Sequence, residues 1–207
     1  MLDLIQTIEI LSPKEVKDLN EYIDTLEFRT NAVFDQGDNC VTRQDVRNST
    51  GCTLNEDSYL TKNLHLKMNS ALDEYKERVS KINDIFKLYP VIGGYDTKSW
   101  REGIQILDYI ENQKYDFHHD VADDRERQEF HRTISIVLYL TNDFEGGRTL
   151  FTHKEFKPLP GHALIFPSNW CFPHCGETVT SGKKRVAVTW YYVERQWIYL
   201  IWGRTMK

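Results

Sequence analysis

Nowhere in its 207 residues does the chain carry an apolar run of the roughly 20 residues needed to cross a bilayer. No membrane span is expected. Residues Met1 to Leu11 include Asp3 and Glu9 and lack a basic stretch followed by a small-residue cleavage site, so no secretory leader is expected either. Cysteine is scarce. Cys40, Cys52, Cys171 and Cys175 have neither the density nor the compact spacing of a secreted disulfide scaffold, which leaves free thiols and a cytoplasmic location as the expectation. Positive charge is also in short supply, with 26 Lys and Arg against 31 Asp and Glu and a formal net charge of -5. Affinity for nucleic-acid phosphates rests on clustered cations, so nucleic acid is not an expected partner. Internal repeats and low-complexity segments are absent.

What is present suits one soluble domain over residues 1–207, since this length supports one full core and is short for two. A hydrophobic share of 40% with 13% aromatic residues points to a sheet-rich core or an aromatic-lined pocket. Ser12-Pro13-Lys14-Glu15 combines a capping hydroxyl, a proline for the first helical position and a glutamate for the third, which together start a helix. Val16, Leu19, Ile23 and Leu26 then share one face, and the helix is expected to end near Phe28. Gln36 to Glu56 is polar and reads as a loop or ragged hairpin. Leu60, Leu64, Met68, Ala71, Leu72, Tyr75, Val79 and Ile82 mark a second, longer helix with Met68 in the core.

Beyond Gly93-Gly94 the helical period gives way to short strands. They are predicted at 103–110, 114–118, 133–140, 149–152, 163–167, 176–179 and 185–193. Helices preceding strands, rather than alternating with them, favour a mainly β fold of α+β order: a jelly roll, or double-stranded β-helix, over residues 91–193, buttressed by helices and a loop in 1–90. Residues 194–207 form a tail. Its run Trp197 to Trp202 is apolar on both faces and is expected to be covered, by the first helix rather than by a second copy, so a monomer is favoured. The charged stretch between Val121 and His131 reads as a surface connection or a flap.

The stretch Ile104 to Asp120 reads as a strand, a polar turn and a second strand ending His118-His119-Asp120. Alternate residues of an extended chain share a face, so His118 and Asp120 point one way and His119 the other. His174, after the aromatic turn Trp170-Cys171-Phe172-Pro173, supplies a candidate third ligand. Two histidines and a carboxylate on one side of an iron leave the opposite positions open for a chelating cosubstrate and dioxygen. Lys184 shares a strand face with Val186, Val188 and Trp190. A lysine buried among such neighbours needs an anion. The distal carboxylate of a dicarboxylate would serve, with the hydroxyls of Thr149 and Tyr109 completing the pocket, and Arg185 faces the other way. His65, His131, His153 and His162 read as surface or hydrogen-bonded imidazoles.

With these residues in view, the chain resembles the 2-oxoglutarate and iron(II)-dependent oxygenases, most of all the prolyl 4-hydroxylase catalytic domain. The resemblance lies in Ile104 to Asp120, in Tyr139-Leu140 through Gly146-Gly147-Arg148-Thr149, in Gly161 to Phe166, and in the spacing of His174, Gly182, Lys184 and Trp190. Arg47-Asn48-Ser49-Thr50 is a fainter echo. The resemblance implies that His118, Asp120 and His174 bind Fe(II), that Lys184, Thr149 and Tyr109 hold 2-oxoglutarate, and that Tyr115, Arg132 and Trp190 line a peptide groove. It further implies hydroxylation of a prolyl residue using O2, with ascorbate as a reductant. Cys175 directly after His174, and His119 where the family often has an aromatic, depart from the pattern. Other readings compatible with the sequence are an oxygenase of a free amino acid or small molecule, a nucleic-acid demethylase, a zinc site at Cys171, His174 and Cys175, and a noncatalytic β-sandwich.

Overall fold

The computed structural model describes residues 2–34, 40–87, 101–121 and 130–194. Helix α1 (Pro13–Ile23) begins as its sequence dictates: the Glu15 N–H donates to Ser12 Oγ, and the Ser12 N–H donates to the Glu15 carboxylate at 3.0 Å. It ends five residues before Phe28. Thr25 and Leu26 bond to carbonyls three residues back, so the chain tightens out of the helix while Leu26 and Phe28 still pack on the core. Helix α2 (Tyr59–Ser80) buries Leu64, Met68, Leu72, Tyr75 and Val79 on one side. Neither helix is long and apolar enough to cross a membrane.

The strands in chain order are β1 (Gln6–Glu9), β2 (Arg29–Thr30), β3 (Val33–Phe34), β4 (Cys40–Val41), β5 (Thr50–Thr53), β6 (Gln105–Tyr109), β7 (Tyr115–His118), β8 (Phe130–Tyr139), β9 (Phe144–Gly146), β10 (Thr149–Phe151), β11 (Lys154–Phe156), β12 (His162–Pro167), β13 (His174–Gly176), β14 (Val179–Gly182) and β15 (Lys184–Glu194). A seven-stranded sheet runs β1-β12-β8-β15-β6-β5-β2, and a four-stranded sheet runs β11-β10-β13-β7. Their pairings are antiparallel. This is the two-sheet jelly roll expected.

Period two divides the large sheet's side chains between two cores. Ile8, Ile106, Ile136, Leu138, Ile165 and Ala187 pack with the helices, whereas Leu107, Tyr109, Tyr139, Leu164, Phe166, Val186 and Val188 pack with Phe151 and Phe172 of the opposing layer. The open edge at β1 is covered by α2, from which Tyr75 Oη donates to Leu4 O at 2.9 Å and Arg78 Nη1 to Thr7 O at 3.1 Å.

The sheet draws on more of the N-terminal region than its helical period suggests. β1 pairs with β12, and β5 lies against β6 inside the stretch read as a loop. Gly51 permits that placement, since a Cβ there would meet Ile106 O at 2.5 Å. The single strand expected at 176–179 is instead the junction of β13 and β14, which belong to different sheets. β9 and β11 were not anticipated. Residues 122–129, within the charged stretch between Val121 and His131 read as a surface connection or a flap, and the tail segment Trp197 to Trp202 lie outside the described residues.

Candidate active site

β7 delivers the first two polar groups and β13 the third. The parity argument holds: Asp120 is buried, His118 is partly buried and the His119 side chain is exposed. The register of β13 against β7 pairs His174 with His118, so their rings lie 4.4 Å apart, centroid to centroid. One ligand atom from each of His118, Asp120 and His174 can be chosen such that all three lie within 4.8 Å of one another. Asp120 Oδ1 is 3.3 Å from His118 Nε2, and Oδ2 is 3.7 Å from His174 Nε2.

The hydrogen bonds behind the rings decide which nitrogens are free. His118 Nδ1 lies 2.8 Å from Asp116 O and His174 Nδ1 lies 3.2 Å from Phe172 O. A carbonyl only accepts, so each Nδ1 is the donor in that bond and each Nε2 is the nitrogen left facing the site. Burial pushes His174 down to about 4, which leaves it neutral at physiological pH. Burial would raise Asp120, but the facing histidines and the Ser135 hydroxyl outweigh it and hold the carboxyl well below its ordinary range. Two imidazoles and one carboxylate are a donor set that fits Fe(II). Cys171 and Cys175 do not join this cluster, the one such group among the described residues, so the zinc reading lacks its ligands.

Lys184 and Arg185 separate as strand parity requires. Lys184, opposite Tyr109 in register, is 4% exposed, with Nζ 5.4 Å and 5.3 Å from the ring centroids of Tyr109 and Tyr139. Burial lowers its pKa to about 8, and among the described residues no carboxylate forms an ion pair with it. Arg185 points to the helical side, where it grips Asp108 through two bonds of 2.7 and 2.8 Å and Asp24 through one of 2.8 Å. Thr149 is buried and shares a 2.5 Å hydrogen bond with Tyr139 Oη. Sequence alone assigns Tyr139 no role in the pocket. Its placement two and four residues from Val137 and Ser135 on the inward face of β8 was the signal available.

The remaining three candidates also gather here. Tyr115 stacks on the His118 ring at 3.7 Å, beneath the Arg47 guanidinium at 4.8 Å. Arg132 lies 3.8 Å over the Trp190 ring and donates to Asp120 O at 3.2 Å. Its second partner is the Glu102 carboxylate, reached by two N–H groups, and Glu102 went unmarked in the sequence. His65, read as a satisfied imidazole, is buried with Nε2 2.7 Å from Arg101 Nη1.

Residues 104–193 match the family model of the 2OG-Fe(II) oxygenase superfamily, a span that contains the triad, Lys184 and both faces of the pocket. Over that segment, less than half of the chain, the protein is similar to the 2OG-Fe(II) oxygenases. The curated relatives it matches include prolyl 4-hydroxylases. The chain is 29% identical over 147 residues to prolyl 4-hydroxylase 2 of Arabidopsis thaliana, a match covering 51% of this chain and 49% of that one. It spans about half the length of the curated relatives it matches. Two solved structures share the fold. One is the viral collagen prolyl hydroxylase of Paramecium Bursaria Chlorella virus-1 in its 2OG complex, at TM-score 0.64 and 20% identity, covering 92% of this chain and 96% of that one. The other is a prolyl hydroxylase from Trichoplax adhaerens in complex with a hypoxia inducible factor peptide fragment, at TM-score 0.63 and 16% identity, covering 92% and 84%.

Proposed function

We propose that this chain is a 2-oxoglutarate- and iron(II)-dependent dioxygenase that hydroxylates a prolyl residue in a peptide or protein. The observation that carries the reading is the one-sided triad of His118, Asp120 and His174 in the same interior as Lys184, a buried cation with no carboxylate partner among the described residues. Iron, when bound, supplies dioxygen activation and the oxidation that drives the reaction. His118 and His174 offer Nε2, and Asp120 its carboxylate, from one side. Lys184 Nζ donates to the distal carboxylate of 2-oxoglutarate, with the Thr149 and Tyr139 hydroxyls beside it and Tyr109 as a wall. Leu107, Phe151, Phe166 and Val186 surround this interior and keep water from the polar groups.

Tyr115, Arg132 and Trp190 sit next to the ligands rather than among them, which is where a peptide would pass. The prolyl choice is supported by the names of the relatives and by the peptide in the Trichoplax structure. Cys52, Cys171 and Cys175 are free, which supports a reducing cytoplasm, and a monomer with ascorbate as external reductant completes the proposal. The test incubates the chain with Fe(II), 2-oxoglutarate and arrayed proline-containing peptides, following succinate release and the gain of one oxygen by mass spectrometry. Iron-dependent succinate with a hydroxylated proline is expected. Succinate coupled only to a free amino acid would overturn the peptide reading, and no succinate under any condition would overturn the oxygenase reading.

A further inference from the structure

Asp120 is held at three points, and one of them is the side chain of a residue with no other evident task. Its N–H donates to Ser168 O at 3.1 Å, its carbonyl accepts from Arg132 at 3.2 Å, and its Oδ2 accepts from Ser135 Oγ at 2.6 Å. Ser135 lies in the middle of β8, between Phe166 of β12 and Trp190 of β15, and is 1% exposed. Beyond it on that face of β8 come Val137 and Tyr139, which pack in the interior core. A buried hydroxyl is unfavourable unless it is bonded, and this one is bonded to a proposed metal ligand.

The direction of the hydrogen bonds follows from proton counting. An ionised carboxylate only accepts, so the single Ser135 proton goes to Asp120 Oδ2. Ser168 Oγ lies 2.9 Å from Ser135 Oγ, and Ser135 then has only lone pairs left to offer it. The Ser168 hydroxyl is therefore the donor. The relay runs Ser168 to Ser135 to Asp120, and each bond polarises the next. Ser168 is itself fixed, with its N–H on Thr133 O at 2.9 Å. The end of β12, the middle of β8 and the turn after β7 are thereby tied to one carboxylate. Oδ2 is occupied by this relay, while Oδ1 faces His118 Nε2.

We propose that Ser135, held by Ser168, is a positioning residue that fixes Asp120 as a one-oxygen metal ligand, keeping the second oxygen out of positions the cosubstrate and dioxygen need. The inference rests on the oxygenase reading above and deepens it. Ser135 touches no reacting atom, so it is to be tested by a property of the metal site itself.

Co(II) is a suitable probe, because its affinity can be titrated without turnover and its visible absorption reports ligand number and geometry. Ser135→Ala should weaken Co(II) binding about ten- to hundredfold, the usual consequence of removing a hydrogen bond behind a ligand, and should shift the absorption band. Ser135→Thr keeps the hydroxyl and should restore both. Ser168→Ala spares the direct bond to Asp120 and should weaken binding less than Ser135→Ala, yet measurably. If Ser135→Ala, with native circular dichroism, bound Co(II) like the unsubstituted chain, the inference would be overturned, as it would if Ser135→Thr lost as much as Ser135→Ala. Should Ser135→Ala not fold, Ser168→Ala decides alone: unaltered affinity and spectrum would refute the relay. An unsubstituted chain that binds no Co(II) would instead defeat the metal reading on which the inference stands.

Discussion

Lys184→Ala is the substitution whose consequences can be worked furthest. The difference between the ordinary lysine value of 10.5 and about 8 corresponds to roughly 3 kcal/mol held against the charged form by burial. That penalty on the cosubstrate-free fold is fully present below about pH 8 and is relieved as pH climbs from there toward 10.5, where the unfolded chain also loses its proton. A dicarboxylate bound opposite Nζ offsets it and raises the lysine pKa in the complex. Affinity for 2-oxoglutarate should therefore be complete below about pH 8 and fall as pH rises beyond it. A charge-assisted hydrogen bond is worth about 1.5–3 kcal/mol, so Lys184→Ala should raise the 2-oxoglutarate KM by about ten- to a hundredfold and flatten its dependence on pH above 8. Lys184→Met, which removes the buried charge but keeps its bulk, should melt at or above the temperature of the parent when 2-oxoglutarate is absent. The assay titrates 2-oxoglutarate against the iron-loaded proteins across this pH range, with thermal melts alongside. An unchanged KM in Lys184→Ala, or an alkaline limb that survives in it, would refute the reasoning.

His118→Ala, Asp120→Ala and His174→Ala should each abolish iron retention, measured by metal analysis after gel filtration, whereas the exposed His119→Ala should retain it. Arg185→Ala should leave the 2-oxoglutarate KM alone but destabilise the fold by about 3 kcal/mol in denaturant titration, because it strips the buried Asp108 of its bidentate partner. The reverse ranking of Lys184 and Arg185 on KM would transfer the cosubstrate role. Ser12→Ala removes the side-chain half of the capping box of α1, leaving the backbone N–H bond to Glu15, and should lower stability by about 1 kcal/mol, with succinate formation unaffected.

Local rules account for what the sequence determined by itself. A helix start depends on a few consecutive residues, and Ser12 to Glu15 form the capping box their types announce. Strand parity is equally local, which is why His118 and Asp120 could be told from His119, and Lys184 from Arg185, before any fold was known. The boundaries of short strands are less local. The Thr50 to Thr53 stretch looked like loop because its polar, Gly-containing text becomes a strand only when β6 offers its edge, and β13 and β14 part because they join different sheets.

Tertiary structure alone decided which residues distant in the chain share a hydrogen bond. The register of β13 on β7 sets His174 beside His118, and the facing of the two layers brings Thr149 to Tyr139. The same packing gives Arg132 to Glu102 and puts the hydroxyls of Ser135 and Ser168 behind Asp120. A sequence states which groups can donate or accept, but a hydrogen bond needs heavy atoms within about 3 Å and in line, and only the packed sheets supply that geometry.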